Sequence, residues 1–237
     1  MLNQKPTNYL IISLALGCIF IFNTRVLTNT AVAANTNIPI TVKQYYLTAV
    51  PFVPQAPFGE WKDRRFQDGC EEATSLIAVA WAQKKSLTKT QAKQEIIKIA
   101  AYEQKKFGGY ADTSAADTLL RIIKGYFNYQ RATLKKNITV DDIIAEIKNG
   151  YLVIAPFNGQ KLKNPYYTAP GPERHMIIIR GYDETKNEFI TNDVGTRRGE
   201  NYRYPKDILF SAIRDYPTGN HQLIKKVEKN IIVVKNN

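Results

Sequence analysis

Cys70, His175 and Asp193 are the residues of this 237-residue chain whose types could together attack an acyl group. A thiol is nucleophilic as its thiolate, and an imidazole held by an acid can take the thiol proton. Cys70 stands in Phe66-Gln67-Asp68-Gly69-Cys70-Glu71-Glu72-Ala73-Thr74-Ser75, ahead of apolar residues that run at helical spacing to Trp81. The pattern predicts a helix from about Gly69, with Asp68 as N-cap and Glu71 completing a capping box. Cys70 then falls at the second helical position, where the positive end of the helix favours an anion and lowers a thiol pKa. The competing reading is a small buried hydrophobe that starts a helix.

His175 begins an apolar run to Tyr182, and a second run follows at Glu188–Asn192 after the polar turn Asp183–Asn187. If Tyr182 faces Asn187 in this hairpin, His175 lies opposite Val194, and a one-residue adjustment puts it opposite Asp193. An acid there would fix the imidazole tautomer, and Asn192 is a competing orienter. The alternatives are a strand-end histidine satisfied by backbone and an aspartate that only shapes a turn. The second histidine, His221, sits in a polar tail near Gly219. Gln55 and Gln67 compete as amide donors to an oxyanion, and both also suit capping or packing. Trp61 beside Phe58, and Tyr166 beside Tyr167, are candidate walls of a substrate groove or plain packing. One cysteine and two well-separated histidines give no metal-ligand spacing, and nothing calls for a cofactor.

The elements around these residues come from the whole chain. Residues 1–34 combine Lys5, an apolar run from Tyr9 to Phe22 and a small-x-small site at Ala31-Val32-Ala33. That run is short of the ~20 residues a spanning helix needs, so a signal peptide is expected, with an uncleaved anchor as the alternative. Cleavage would remove Lys5, Arg25 and Cys18, leaving 31 of the 33 basic residues against 21 acids, a net charge of +10. One cysteine would remain, and a single thiol in an exported chain points to reactivity. The lysines are scattered, with no run of five and no aromatic-interleaved signature, so nucleic acid is not an expected partner.

A lead-in occupies 35–46, and a domain spans 47–217. Leu47–Pro54 reads as a proline-bearing edge strand. Thr88 or Thr90 caps a helix to about Lys106, Asp112 one to about Gly125, and Thr139 one that stops at Asn149-Gly150. Tyr126–Leu134 and Tyr151–Phe157 read as strands, and a short helix runs from Pro205 to about Arg214. The loops are 158–174 and 192–201, and 218–237 is a basic tail or a last strand. Helices followed by an antiparallel sheet make an α+β domain.

Four stretches carry a resemblance: Val50-Pro51-Phe52-Val53-Pro54-Gln55-Ala56-Pro57, Gln67-Asp68-Gly69-Cys70-Glu71-Glu72-Ala73, Arg174-His175-Met176 through Gly181-Tyr182-Asp183, and Asn192-Asp193-Val194-Gly195. Together they resemble the stand-alone members of the bacteriocin-processing peptidase-like group, within the papain-like cysteine peptidases, over roughly 49–214. The resemblance implies a papain-like fold, with the nucleophile at a helix start packed on an antiparallel sheet carrying His and Asp. It implies Cys70 as nucleophile, His175 as general base, Asp193 as orienter and Gln55 as oxyanion donor. The transporter-linked members act in the cytoplasm on double-glycine leaders, whereas this chain carries an export-like segment and no transporter domain. Its Gln55–Cys70 interval is also longer than theirs.

The expectation is therefore an exported, cell-envelope cysteine hydrolase that cleaves a peptide or amide bond through a Cys70 thioester. A peptide or protein is the expected partner, with an anionic wall polymer as a further one and membrane only through an uncleaved N-terminal segment. The alternatives are a non-catalytic module that holds anionic polymers, and an acyl transferase using the same residues.

Overall fold

Residues 152–157 and 175–183 are buried along their whole length, because helices cover both faces of the sheet they form. The computed structural model describes residues 43–236, so the expected signal segment at 1–34 and most of the lead-in lie outside the described residues. In chain order come β1 (Gln44–Tyr46), α1 (Arg64–Gln67), α2 (Cys70–Ala82), α3 (Lys89–Phe107) and α4 (Ala115–Asp117), which runs into a π-helical turn at Thr118–Tyr126. Then follow β2 (Ala132–Lys135), α5 (Val140–Lys148), β3 (Leu152–Phe157), α6 (Gly159–Leu162), β4 (His175–Asp183), β5 (Glu188–Asn192), β6 (Tyr202–Pro205), α7 (Lys206–Ala212) and β7 (Ile231–Val234). The strands are antiparallel in the order β2-β7-β3-β4-β5-β6, and β1 pairs with the Gly181–Asp183 end of β4.

The two-residue period of a strand divides the core. Leu152, Ile154, Met176, Ile178, Ile232 and Val234 pack with α2, α3 and the π-helical turn. Val153, Ala155, Phe157, Ile177, Ile179 and Val233 pack on the opposite face with α5 and α7. Burying each such side chain contributes ~1.5–3 kcal/mol. All thirteen residues of α2 are buried, so it is a central helix and not an amphipathic one.

The predicted caps of two helices stand where the sequence puts them. Thr88 and Gln91 form a capping box on α3, which Gly108 ends in the left-handed region at φ 79°. Thr139 and Asp142 do the same for α5. Elsewhere the fold departs from expectation. Asp112 caps nothing; it has φ 52°, and Ser114 caps α4 instead. Residues 47–54 form no strand, since their prolines lack donors, and are held by the buried Arg180, which donates to the carbonyl oxygens of Leu47 (2.6 Å) and Val50 (3.4 Å). Of the predicted 126–134 strand only 132–134 is extended, as part of β2 (Ala132–Lys135). Residues 231–234, left open as tail or strand, lie between β2 and β3.

Candidate active site

The chain turns sharply into α2 at Gly69. A Cβ there would stand 2.5 Å from the Arg65 carbonyl oxygen, so a glycine lets α1 and α2 meet. Asp68 ends α1 and lies 3.6 Å from the Arg64 guanidinium, while Gly69 is the N-cap of α2 and offers no side-chain bond. The expected capping box is therefore absent, and Cys70 is the first helical residue, not the second. Glu71 uses its carboxyl differently. It accepts the Cys70 thiol at 3.0 Å on Oε2 and the Tyr216 hydroxyl at 2.7 Å on Oε1.

This changes the electrostatics expected of the thiol. Burial pushes the Cys70 pKa well up, and the Glu71 carboxylate and Glu72 push it further, against a lowering by the Met176 backbone N–H. The helix terminus does not overcome these effects in this arrangement. Glu71 itself is raised to about 7, because burial and Asp112 outweigh its two donors. Behind it, Glu72 and Glu103 are fully buried, and none of their four carboxyl oxygens has a hydrogen-bond partner. Burial and mutual repulsion raise Glu72 well above the carboxylate range, and burial raises Glu103 to about 8.

His175 opens β4 opposite Phe157 of β3 and is 2% exposed. Its Nε2 lies 2.8 Å from Asp193 Oδ1. The hairpin reaches this pairing by another register than expected. Tyr182 faces Phe189, and a bulge between Ile179 and Gly181 then puts Ile178 opposite Asn192. Continued at that offset, His175 would face Gly195, so neither Val194 nor Asp193 is its cross-strand partner. Asp193 lies just past β5 and meets the ring through its side chain. Gly195 is required here, because a Cβ would stand 2.8 Å from both Cε1 and Nε2 of His175.

Asp193 is saturated. Oδ1 accepts the imidazole and the Gly195 N–H (3.0 Å); Oδ2 accepts the hydroxyls of Tyr167 and Tyr204 (2.5 Å each) and the Asn164 amide (3.1 Å). Burial raises its pKa, but the imidazole and the two hydroxyls outweigh that and hold it below the usual range. An ionised Asp193 can only accept, so Nε2 carries the ring proton and Nδ1 is the basic nitrogen. Asn192 has no part in this; it donates to the Pro51 carbonyl at 3.0 Å and accepts the Asn201 N–H.

Cys70, His175, Gln55, Gln67, Trp61 and Tyr167 line one cavity of about 400 Å³. Gln55 donates both amide hydrogens, to the Phe66 and Gln67 carbonyls at 2.9 and 3.0 Å, so neither is free. Reversing the amide would face its oxygen to two carbonyls, which fixes the assignment. Gln67 and the Cys70 backbone N–H, one of the first donors of α2 with no intrahelical partner, are further donors at the site. Tyr166 is not in the cavity wall; it is 44% exposed, against Tyr202 and under the Arg198 guanidinium. Tyr167 occupies the wall instead, edge-on to His175 at 5.6 Å between ring centres. The sequence reading missed Asn164, Tyr204, Tyr216 and the contact of Glu71 with the thiol. Only the last had a sequence signal, an acid next to the cysteine.

The Peptidase_C39 like family matches residues 47–223, most of the chain. No curated protein matches the sequence. Among solved structures, a proposed C39-like peptidase from Bacillus anthracis is 15% identical with a TM-score of 0.53, over 82% of this chain and 98% of that one. Xylellain, a cysteine protease from Xylella fastidiosa, is 16% identical with a TM-score of 0.46, over 83% and 87%. The helices around the Cys70 turn and the antiparallel sheet that begins β4 with His175 form an α+β, papain-like fold, and the chain belongs to the Peptidase_C39 like family.

Proposed function

We propose that this chain is an exported cysteine peptidase in which Cys70 is the nucleophile, His175 the general base and Asp193 its orienter. The observation that carries the reading is the imidazole itself. Its Nε2–H is held by a saturated, ionised Asp193, which leaves Nδ1 as the basic nitrogen of a ring that lines the same cavity as Cys70. Nδ1 takes the thiol proton as sulfur attacks the scissile carbonyl carbon. The imidazolium then protonates the leaving amine as the C–N bond breaks, giving a Cys70 thioester. Water, giving a proton to the same nitrogen, attacks the thioester and releases the acid with the thiol restored. The Cys70 backbone N–H and an amide from Gln67, or from Gln55 after it yields one backbone bond, hold the oxyanion. Trp61, at the cavity edge and 44% exposed, contacts substrate.

Export rests on the N-terminal sequence pattern. The test is peptide-library hydrolysis by residues 35–237 against Cys70→Ser. We expect turnover to vanish in the variant with the unfolding midpoint kept; equal hydrolysis by both would sink the mechanism. No hydrolysis by either, with salt-sensitive binding of anionic wall polymer that survives Cys70→Ala, would favour the binding-module reading.

A further inference from the structure

We propose that Glu71 is a positioning residue that sets when Cys70 is reactive: its protonated carboxyl donates to the thiolate, and its ionised form keeps the sulfur protonated. This rests on Cys70 being the nucleophile. Glu71 is 1% exposed, and each carboxyl oxygen has one partner, the thiol on Oε2 and the Tyr216 hydroxyl on Oε1. With the sulfur 3.0 Å from Oε2, a thiolate beside an ionised Glu71 would put two buried anions in contact. Loss of the thiol proton to His175 therefore needs a proton already on Oε2, which turns the hydrogen bond round so that O–H donates to S⁻. The reactive state then holds one proton on Glu71 and one on His175 Nδ1.

The surroundings favour that proton. Asp112 from the loop before α4, Glu72 from the same helix and Glu103 from α3 are all acids that act on Glu71 or its neighbours. Tyr216 brings a neutral hydroxyl from the C-terminal segment. The nearby cations are engaged elsewhere: Arg174 lies 3.8 Å from Asp112 and Arg121 pairs with Asp117, while on β4 the His175 imidazole is bonded to Asp193. A carboxyl that retains its proton to about pH 7 follows from burial among these acids.

The experiment is the rate of Cys70 alkylation by iodoacetamide against pH, in the wild-type chain, Glu71→Gln, Tyr216→Phe and His175→Ala. A glutamine can donate to sulfur through Nε2 at every pH while its oxygen still accepts from Tyr216. We expect the midpoint in Glu71→Gln to fall by about one pH unit, with a reaction up to roughly tenfold faster above pH 7, where the wild-type carboxyl is ionised, and little change near pH 6, where it already holds its proton. Tyr216→Phe removes a bond that favours the Glu71 anion and should move the midpoint the same way by less. An unmoved or raised midpoint in Glu71→Gln, with only a lower unfolding temperature, would mean a structural tie and overturn the proposal. If Glu71→Gln does not fold, Tyr216→Phe decides by the same criterion. His175→Ala separates the two readings: an unchanged profile there removes the Cys–His pair, whatever Glu71 does.

Discussion

Two buried carboxylates, Asp193 and Glu71, flank the proposed base and nucleophile, and they are displaced in opposite directions. Burial raises both. Asp193 receives five donors on two oxygens, one of them the imidazole, and stays an anion. Glu71 receives two and has acids for neighbours. The number of donors and the sign of nearby charge, not depth, decide which group retains its proton. One arrangement fixes an imidazole; the other holds a thiol.

The contrast can be broken most severely at Asp193. Asp193→Ala leaves the imidazole, two phenol hydroxyls and the Gly195 N–H without that acceptor, takes one of two acceptors from the Asn164 amide, and should cost ~3–5 kcal/mol in urea unfolding. A loss under ~1 kcal/mol would show that the network does not hold the sheet end together.

Next in size is pH. Glu71, raised to about 7, and Glu103, raised to about 8, bind protons in the fold that the unfolded chain releases near ~4.3. Their stabilising effect is full below that value and is lost as pH rises through the folded values. Asp193 is lowered, so its contribution is present above ~3.9 and lost as pH falls through its folded value. Calorimetry should therefore find the domain more stable at pH 5.5 than at pH 8.5, by ~2 kcal/mol or more. Glu103→Gln should flatten that slope, and an unchanged slope would remove Glu103 from the account.

The smallest effect sharpens the comparison without dismantling it. Tyr204→Phe removes one of the five donors and should cost ~1 kcal/mol at neutral pH. Acid unfolding should then begin at a higher pH as Asp193 loses support; no change in either would make Tyr204 a bystander.

Much of the scaffold was legible because periodicity and caps act locally. The capping boxes at Thr88 and Thr139, the unbroken run Leu152–Phe157 and the 175–192 hairpin all follow from neighbours in sequence. The hairpin register was not legible, because the bulge beside Arg180 depends on that buried guanidinium reaching back to Leu47. Strand β6 and helix α1 were too short to stand out. At the site, residue types pointed to Cys70, His175 and Asp193. Their electrostatics did not follow from types, since Tyr204 and Asn164 meet Asp193 only through the tertiary fold. Glu71 looked like a cap because its spacing suits one, while the sharp turn at Gly69 turned its carboxyl to other uses.

Strand β7 has a kinetic consequence. Residues 231–234 lie between β2 and β3, so a chain synthesised only as far as Asn230 has all the other strands and no bond joining β2 to the rest. The sheet closes only when the last segment threads into its interior, a strongly non-local step that slows folding.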